Sequence, residues 1–239
     1  MDATHAPDFD TPFDTSLETP PHAGGAVMHV GATPEDARIA MILLHGRGAG
    51  PRDVLSLADA YALEGVCYLA PAAGDLLSEK NSWYPQPFTM DFKNNEPMIE
   101  SAFTVVESLL SQLAKLGLPP ERCVLGGFSQ GACLVTHFAY RYPRRYGMIV
   151  GYSGGLIGNN KQVFQPHGDL EGTPVDLSSG EKDFRVPWAR VEQTAKVLRA
   201  MNAQVELEQY PDLPHTICRA QVDKTRGKLE TLLASVKKK

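Results

Sequence analysis

The chain has little cysteine, no long apolar run and no basic stripe, and each absence removes a class of protein. Its four cysteines, Cys67, Cys123, Cys133 and Cys218, form no C-x-x-C pair. A disulfide framework and a thiol-redox motif are therefore not expected. No His or Cys pair with ligand spacing lies near a second such pair, so no metal is expected, and no other cofactor. No run of about 18 apolar residues occurs, which argues against a membrane-spanning helix and integral membrane association. A basic segment followed by an apolar one is missing from the N-terminal residues, so no secretory signal is read. With reduced cysteines set in apolar surroundings, a cytoplasmic location is the expectation. The formal charge is −5, from 23 Lys and Arg against 28 Asp and Glu. Outside Lys237-Lys238-Lys239 no basic cluster appears, so no nucleic-acid partner is expected.

What is present is enough apolar surface for a core: 43% of 239 residues. The length suits a single domain of an α/β class. Residues 1–24 are rich in Thr, Pro, Asp and His, carry five carboxylates and lack Lys and Arg. They read as a flexible tail or a strap over the domain that follows at residues 25–239. From there apolar runs of strand length alternate with helical periodicity. Strands are expected at Arg38–Leu44, Val66–Ala70, Arg122–Gly127, Met148–Tyr152, Pro174–Ser178 and Gln204–Tyr210. Helices are expected at Pro51–Leu63, Glu96–Leu116, Ser129–Tyr142, Pro187–Met201 and Thr216–Ser235. In the second helix Ile99, Phe103, Val106, Leu110 and Leu113 fall on one face, and Gly117 with Pro119-Pro120 ends it. Pro71–Asn94 has little periodicity, and a loop so long is usually functional. This alternation implies a mainly parallel sheet with helices on both faces. Sites in such sheets gather beyond the carboxyl ends of the strands.

At one of those ends stands Gly127-Phe128-Ser129-Gln130-Gly131, a G-x-S-x-G between a strand and a helix. In that context the serine is a nucleophile on a sharp, strained turn. Residues two before and two after it must lack side chains, because strand and helix nearly touch there. A serine hydroxyl needs an adjacent base, and the base an orienting carboxylate. Asp183 and His215 occupy strand ends further along the chain in the required order. Asp176 competes with Asp183 but lies inside its strand, and Asp212 is too near His215 in sequence. Among histidines, His137 falls within the helix after the serine, His167 in an irregular loop, and His5, His22 and His29 near the N-terminus. The developing oxyanion needs two N–H donors. One is the amide of Gln130 at a helix start. The other belongs to the glycine loop His45-Gly46-Arg47-Gly48, where His45 itself reads as structural.

Six segments together resemble the carboxylesterase/phospholipase family of α/β-hydrolases, which includes acyl-protein thioesterases. They are Leu44-His45-Gly46-Arg47-Gly48, Trp83-Tyr84-Pro85, Gly126 to Gly131, Ser153-Gly154-Gly155, Gly180 to Asp183 with Val186-Pro187, and Tyr210-Pro211 with Pro214-His215-Thr216. The resemblance implies a cap-less serine hydrolase acting on small esters or thioesters. It makes Ser129 the nucleophile, Asp183 the orienter, His215 the base, and the amides of Arg47 and Gln130 the oxyanion hole. His-Gly-Arg-Gly is more similar to the bacterial small-ester hydrolases of the family than to its thioesterases. Ser129 separates the chain from dienelactone hydrolases, whose nucleophile is cysteine. A short-chain carboxylesterase is therefore expected, as a monomer or homodimer. The alternatives are a lysophospholipase, an acyl-protein thioesterase, and an inactive binding module, the last disfavoured by an intact Ser, Asp and His. Trp83 and Phe88 stand either as walls of a substrate pocket or as core. The Arg47 guanidinium either attracts an anionic part of the substrate or salt-bridges a nearby carboxylate and only holds the loop.

Overall fold

The computed structural model describes residue 13 and residues 20–74 and 81–236. Seven strands form one sheet in the order β1-β3-β2-β4-β5-β6-β7. They are β1 Val27–Gly31, β2 Ile39–Leu44, β3 Val66–Pro71, β4 Cys123–Phe128, β5 Met148–Tyr152, β6 Pro174–Gly180 and β7 Gln204–Tyr210. All neighbouring pairs are parallel except β1 with β3. The interior strands β2, β3 and β5 are buried at every residue. A parallel sheet covered on both faces requires that.

Alternation along each strand divides the core in two. Ala40, Ile42 and Leu44 of β2 face helices α2 (Glu96–Lys115), α3 (Gln130–Arg141) and α4 (Trp188–Ala200). Ile39, Met41 and Leu43 face α1 (Pro51–Tyr61) and α5 (Arg219–Ser235). The α2 stripe of Ile99, Phe103, Val106, Leu110 and Leu113 is fully buried, and each such side chain contributes roughly 1.5–3 kcal/mol over its exposed state. Gly117 ends α2 with φ of 84°. Gly227 of α5 has open space where a Cβ would be, so the glycine faces outward. The α/β-hydrolase-like architecture, with helices on both faces and no large cap, is the one expected.

One difference concerns the N-terminal part. β1 was not anticipated; it is short, and Val27-Met28 with His29 breaks the two-residue alternation by which a strand is read. Most of the expected tail lies outside the described residues, as do Lys237–Lys239. Of the described part, Phe13 packs in the core and His22 is buried. The His22 N–H donates to the Ser101 hydroxyl at 3.0 Å. Gly74 N–H donates to His22 Nδ1 at 2.8 Å, so Nε2–H donates to the Trp83 carbonyl at 2.9 Å.

His137, on α3, is a core histidine. Phe92 and Phe103 stack on its ring at 5.0 and 6.0 Å, and its Nδ1 accepts the Ile157 N–H at 3.1 Å. Burial, then the charges of Arg141 and Arg190, lower its pKa from 6.5 to about 3. The unfolded chain therefore takes up this proton at a higher pH than the fold does. Its contribution to stability is complete above about pH 6.5 and is lost progressively as pH falls toward 3. His137→Gln keeps an acceptor for Ile157 but removes the titration. Unfolding free energies from urea melts between neutral pH and mildly acid pH should fall less steeply for the variant, by up to about 1.4 kcal/mol per pH unit. Parallel slopes would refute the assignment.

Candidate active site

Four loops meet beyond the carboxyl ends of β2, β4, β6 and β7. The first to consider follows β4. Ser129 has φ of 55° and ψ of −116°, a conformation that costs a non-glycine residue energy and exposes its hydroxyl. A Cβ on Gly131 would lie 2.0 Å from the Leu44 carbonyl oxygen, and one on Gly127 2.4 Å from Gly131. Only glycine fits at either place, which is why the sharp turn dictates the motif.

The Ser129 hydroxyl is 2.8 Å from His215 Nε2. His215 Nδ1–H donates to Asp183 Oδ2 at 2.7 Å. Asp183 Oδ1 accepts N–H bonds from Arg185 at 2.9 Å and Val186 at 3.0 Å, and Oδ2 also accepts from the Ser179 hydroxyl at 3.2 Å. The Asp183 side chain has no solvent exposure and that of His215 only 14%. Burial by itself would raise the Asp183 pKa. The His215 hydrogen bond, the two backbone N–H groups and the His215 charge outweigh it, and the carboxyl sits below its ordinary value. Phe128 packs on the imidazole, ring centres 4.9 Å apart. The carboxylate and imidazole loops are also joined by backbone: Lys182 N–H donates to the Leu213 carbonyl at 2.9 Å, and Glu181 N–H to Tyr210 at 2.9 Å.

The competing residues lie elsewhere. Asp176, in β6, pairs with Lys228 at 3.2 Å and accepts from Thr225. Asp212 pairs with Lys182 at 2.6 Å in solvent. His29 donates to the Ala32 carbonyl, His167 packs edge-on against Tyr140, and His5 lies outside the described residues.

Arg47 and Gln130 flank the serine in a cavity of about 450 Å³. His45 orients the first of them. Its Nε2 accepts the Ala73 N–H at 3.1 Å, so Nδ1–H donates to the Gly46 carbonyl at 2.9 Å. In a trans peptide C=O and N–H point oppositely, and this bond turns the Arg47 N–H away from His45. The Gln130 carboxamide accepts from Trp83 N–H at 2.9 Å and donates to the Tyr84 carbonyl at 2.8 Å. The Arg47 guanidinium donates to the carbonyls of Pro85, Tyr84 and Gln86 at 2.8, 2.9 and 3.3 Å. It braces the loop.

Of the two aromatics expected to wall a pocket, Phe88 lines this cavity. Trp83 does not: it is fully buried, and its indole N–H donates to the His45 carbonyl at 3.1 Å. Its size and polar edge suit it to carry the glycine loop from beneath. Tyr84, Cys133 and Val186 line the cavity instead; burial pushes the Cys133 thiol up to about 11, which keeps it protonated. The sequence reading missed these three, together with Phe128 and Arg185. Phe128 lay in view as the second residue of the motif. Among the described residues no group of His, Cys, Asp and Glu has the form of a metal site, and no helix is long and apolar enough to cross a membrane.

Fold and site together define a serine hydrolase of the α/β-hydrolase class. The chain belongs to the phospholipase/carboxylesterase family, whose model matches residues 26–233. A phospholipase/carboxylesterase structure from Dyadobacter fermentans is 34% identical, with a TM-score of 0.78, covering 87% of this chain and 96% of that one. Acyl-protein thioesterase 1 of Gibberella zeae is 30% identical over 53% of this chain and 54% of its own length. A probable carboxylesterase of Arabidopsis thaliana, SOBER1-like, is 26% identical over 78% of this chain and 76% of its own. This chain thus spans about half of the Gibberella thioesterase.

Proposed function

We propose that the protein is a carboxylesterase that hydrolyses short-chain esters through an acyl-enzyme on Ser129. The hydrogen-bonded chain Ser129–His215–Asp183, at 2.8 and 2.7 Å, carries this reading. His215 Nε2 takes the hydroxyl proton as the oxygen attacks the ester carbonyl. Asp183 holds Nδ1–H and stabilises the imidazolium that forms. The amides of Arg47 and Gln130 receive the oxyanion. His215 then protonates the departing alcohol, and water enters by the same route in reverse to release the acid. A cytosolic setting accords with the three buried thiols Cys67, Cys123 and Cys133.

The cavity wall supports small acyl groups. Tyr84, Phe88 and Val186 offer apolar contact, but Arg47 and Arg185 share the same space. A long acyl tail would have to desolvate those charges. With p-nitrophenyl esters from acetate to palmitate, kcat/KM should peak at about two to six acyl carbons and collapse at palmitate. Relatives named as an acyl-protein thioesterase and a lysophospholipase-like protein favour a second reading, removal of acyl groups from proteins or lysolipids. Preference for palmitoyl over butyryl esters would promote that reading and end the first.

A further inference from the structure

Resting on that reading, the inference concerns which esters the site selects. Two of the described residues lining the cavity beside Ser129 are arginines, Arg47 and Arg185, and none of the described lining residues is a carboxylate. This occurs in a chain whose net charge is −5. The two cations differ in what holds them. The Arg47 guanidinium is fastened to three backbone carbonyls, which orient it. Arg185 is exposed. Among the described residues its guanidinium has no hydrogen-bond or ion-pair partner, whereas its backbone is fixed by the N–H bond to Asp183 Oδ1 at 2.9 Å. A long side chain thus springs from an anchored point within two residues of the orienting carboxylate, with its donors unengaged. Guanidinium pairs with planar oxyanions through two parallel hydrogen bonds.

We propose that Arg185 selects esters that carry a second, anionic group, a carboxylate or a phosphate, placed a few bonds from the scissile carbonyl. The apolar wall of Tyr84, Phe88 and Val186 receives the short chain between the two ends.

The test compares ratios of kcat/KM. The first ratio sets p-nitrophenyl hemiglutarate, with a carboxylate on the acyl side, against p-nitrophenyl butyrate. The second sets the butyryl ester of glycerol 3-phosphate, with the anion on the alcohol side, against the butyryl ester of glycerol. Arg185→Gln should lower at least one ratio about tenfold, mainly through KM, and Arg185→Lys should restore part of it. The affected ratio in the wild type should also fall as salt is raised. The ratio that drops identifies the side on which the anion sits. If Arg185→Gln leaves both ratios within twofold of the wild type, Arg185 selects nothing and the proposal is wrong. A wild type that cleaves no butyrate ester would instead defeat the carboxylesterase reading itself, so the two failures are distinguishable. A thermal melt of the variant at the wild-type temperature is expected, since the guanidinium makes no hydrogen bond or ion pair with another described residue.

Discussion

Ser129→Ala should lower kcat by about a factor of 10⁶ while leaving the fold intact. On the proposed mechanism the hydroxyl is the atom that bonds to the acyl carbon, so nothing else in the site would take its place. His215 Nε2, 2.8 Å away, then has no alkoxide to generate. Stability should change little, since the elbow geometry at Ser129 belongs to the backbone and to Gly127 and Gly131 rather than to the hydroxyl. A fluorophosphonate probe should label the wild type at Ser129 and leave the variant unlabelled. Modification of any other residue would falsify the assignment. Cys133 lines the same cavity, but burial holds its thiol in the protonated form, so it is not expected to substitute.

Exchange of the orienting carboxylate should be nearly as severe. In Asp183→Asn the amide can donate to Nδ1, which moves the imidazole proton to Nε2. That nitrogen can then no longer accept from Ser129, and kcat should fall by about 10⁴. Asp176→Asn provides the contrast. Asp176 is 2% exposed and holds Lys228 and Thr225 against the sheet. Its loss should destabilise the fold by about 1–3 kcal/mol and leave kcat of the folded enzyme close to wild type. Larger damage to kcat from Asp176→Asn than from Asp183→Asn would mean that the roles are exchanged.

How far the sequence carried these conclusions varied with the kind of residue. Periodicity placed α2 within one residue of its observed end, and β5 and β7 at their observed limits. Strand ends and the order Ser, Asp, His singled out the three groups that the fold brings together, because in a parallel sheet the loops after successive strands open on one side. Side chains in irregular segments were another matter. Trp83 sits where no repeat tells inside from outside, and it turned inward to His45. For Arg47 the sequence left two destinations for a long, flexible side chain; the carbonyls of residues 84–86 decided between them. Arg185 passed unnoticed, since nothing in the order Asp-Phe-Arg says that the arginine would find no partner. β1 lacked an alternating pattern, and its pairing with β3 depends on a strand far along the chain.

The Ser129 hydroxyl and the His215 imidazole are 86 residues apart in sequence, and on the proposed mechanism this separation governs when the molecule becomes reactive during synthesis. As the chain leaves the ribosome, the elbow between β4 and α3 is exposed long before β7 exists. A nascent chain at that stage carries a serine with no base, and its hydroxyl is as inert as any other. The base arrives only with the loop that follows the last strand, and it is held in place only after β7 has added to β6. Reactivity is therefore acquired at the end of assembly. On the proposed mechanism, incomplete or truncated chains are not unregulated hydrolases, and activity would report that the final strand has docked.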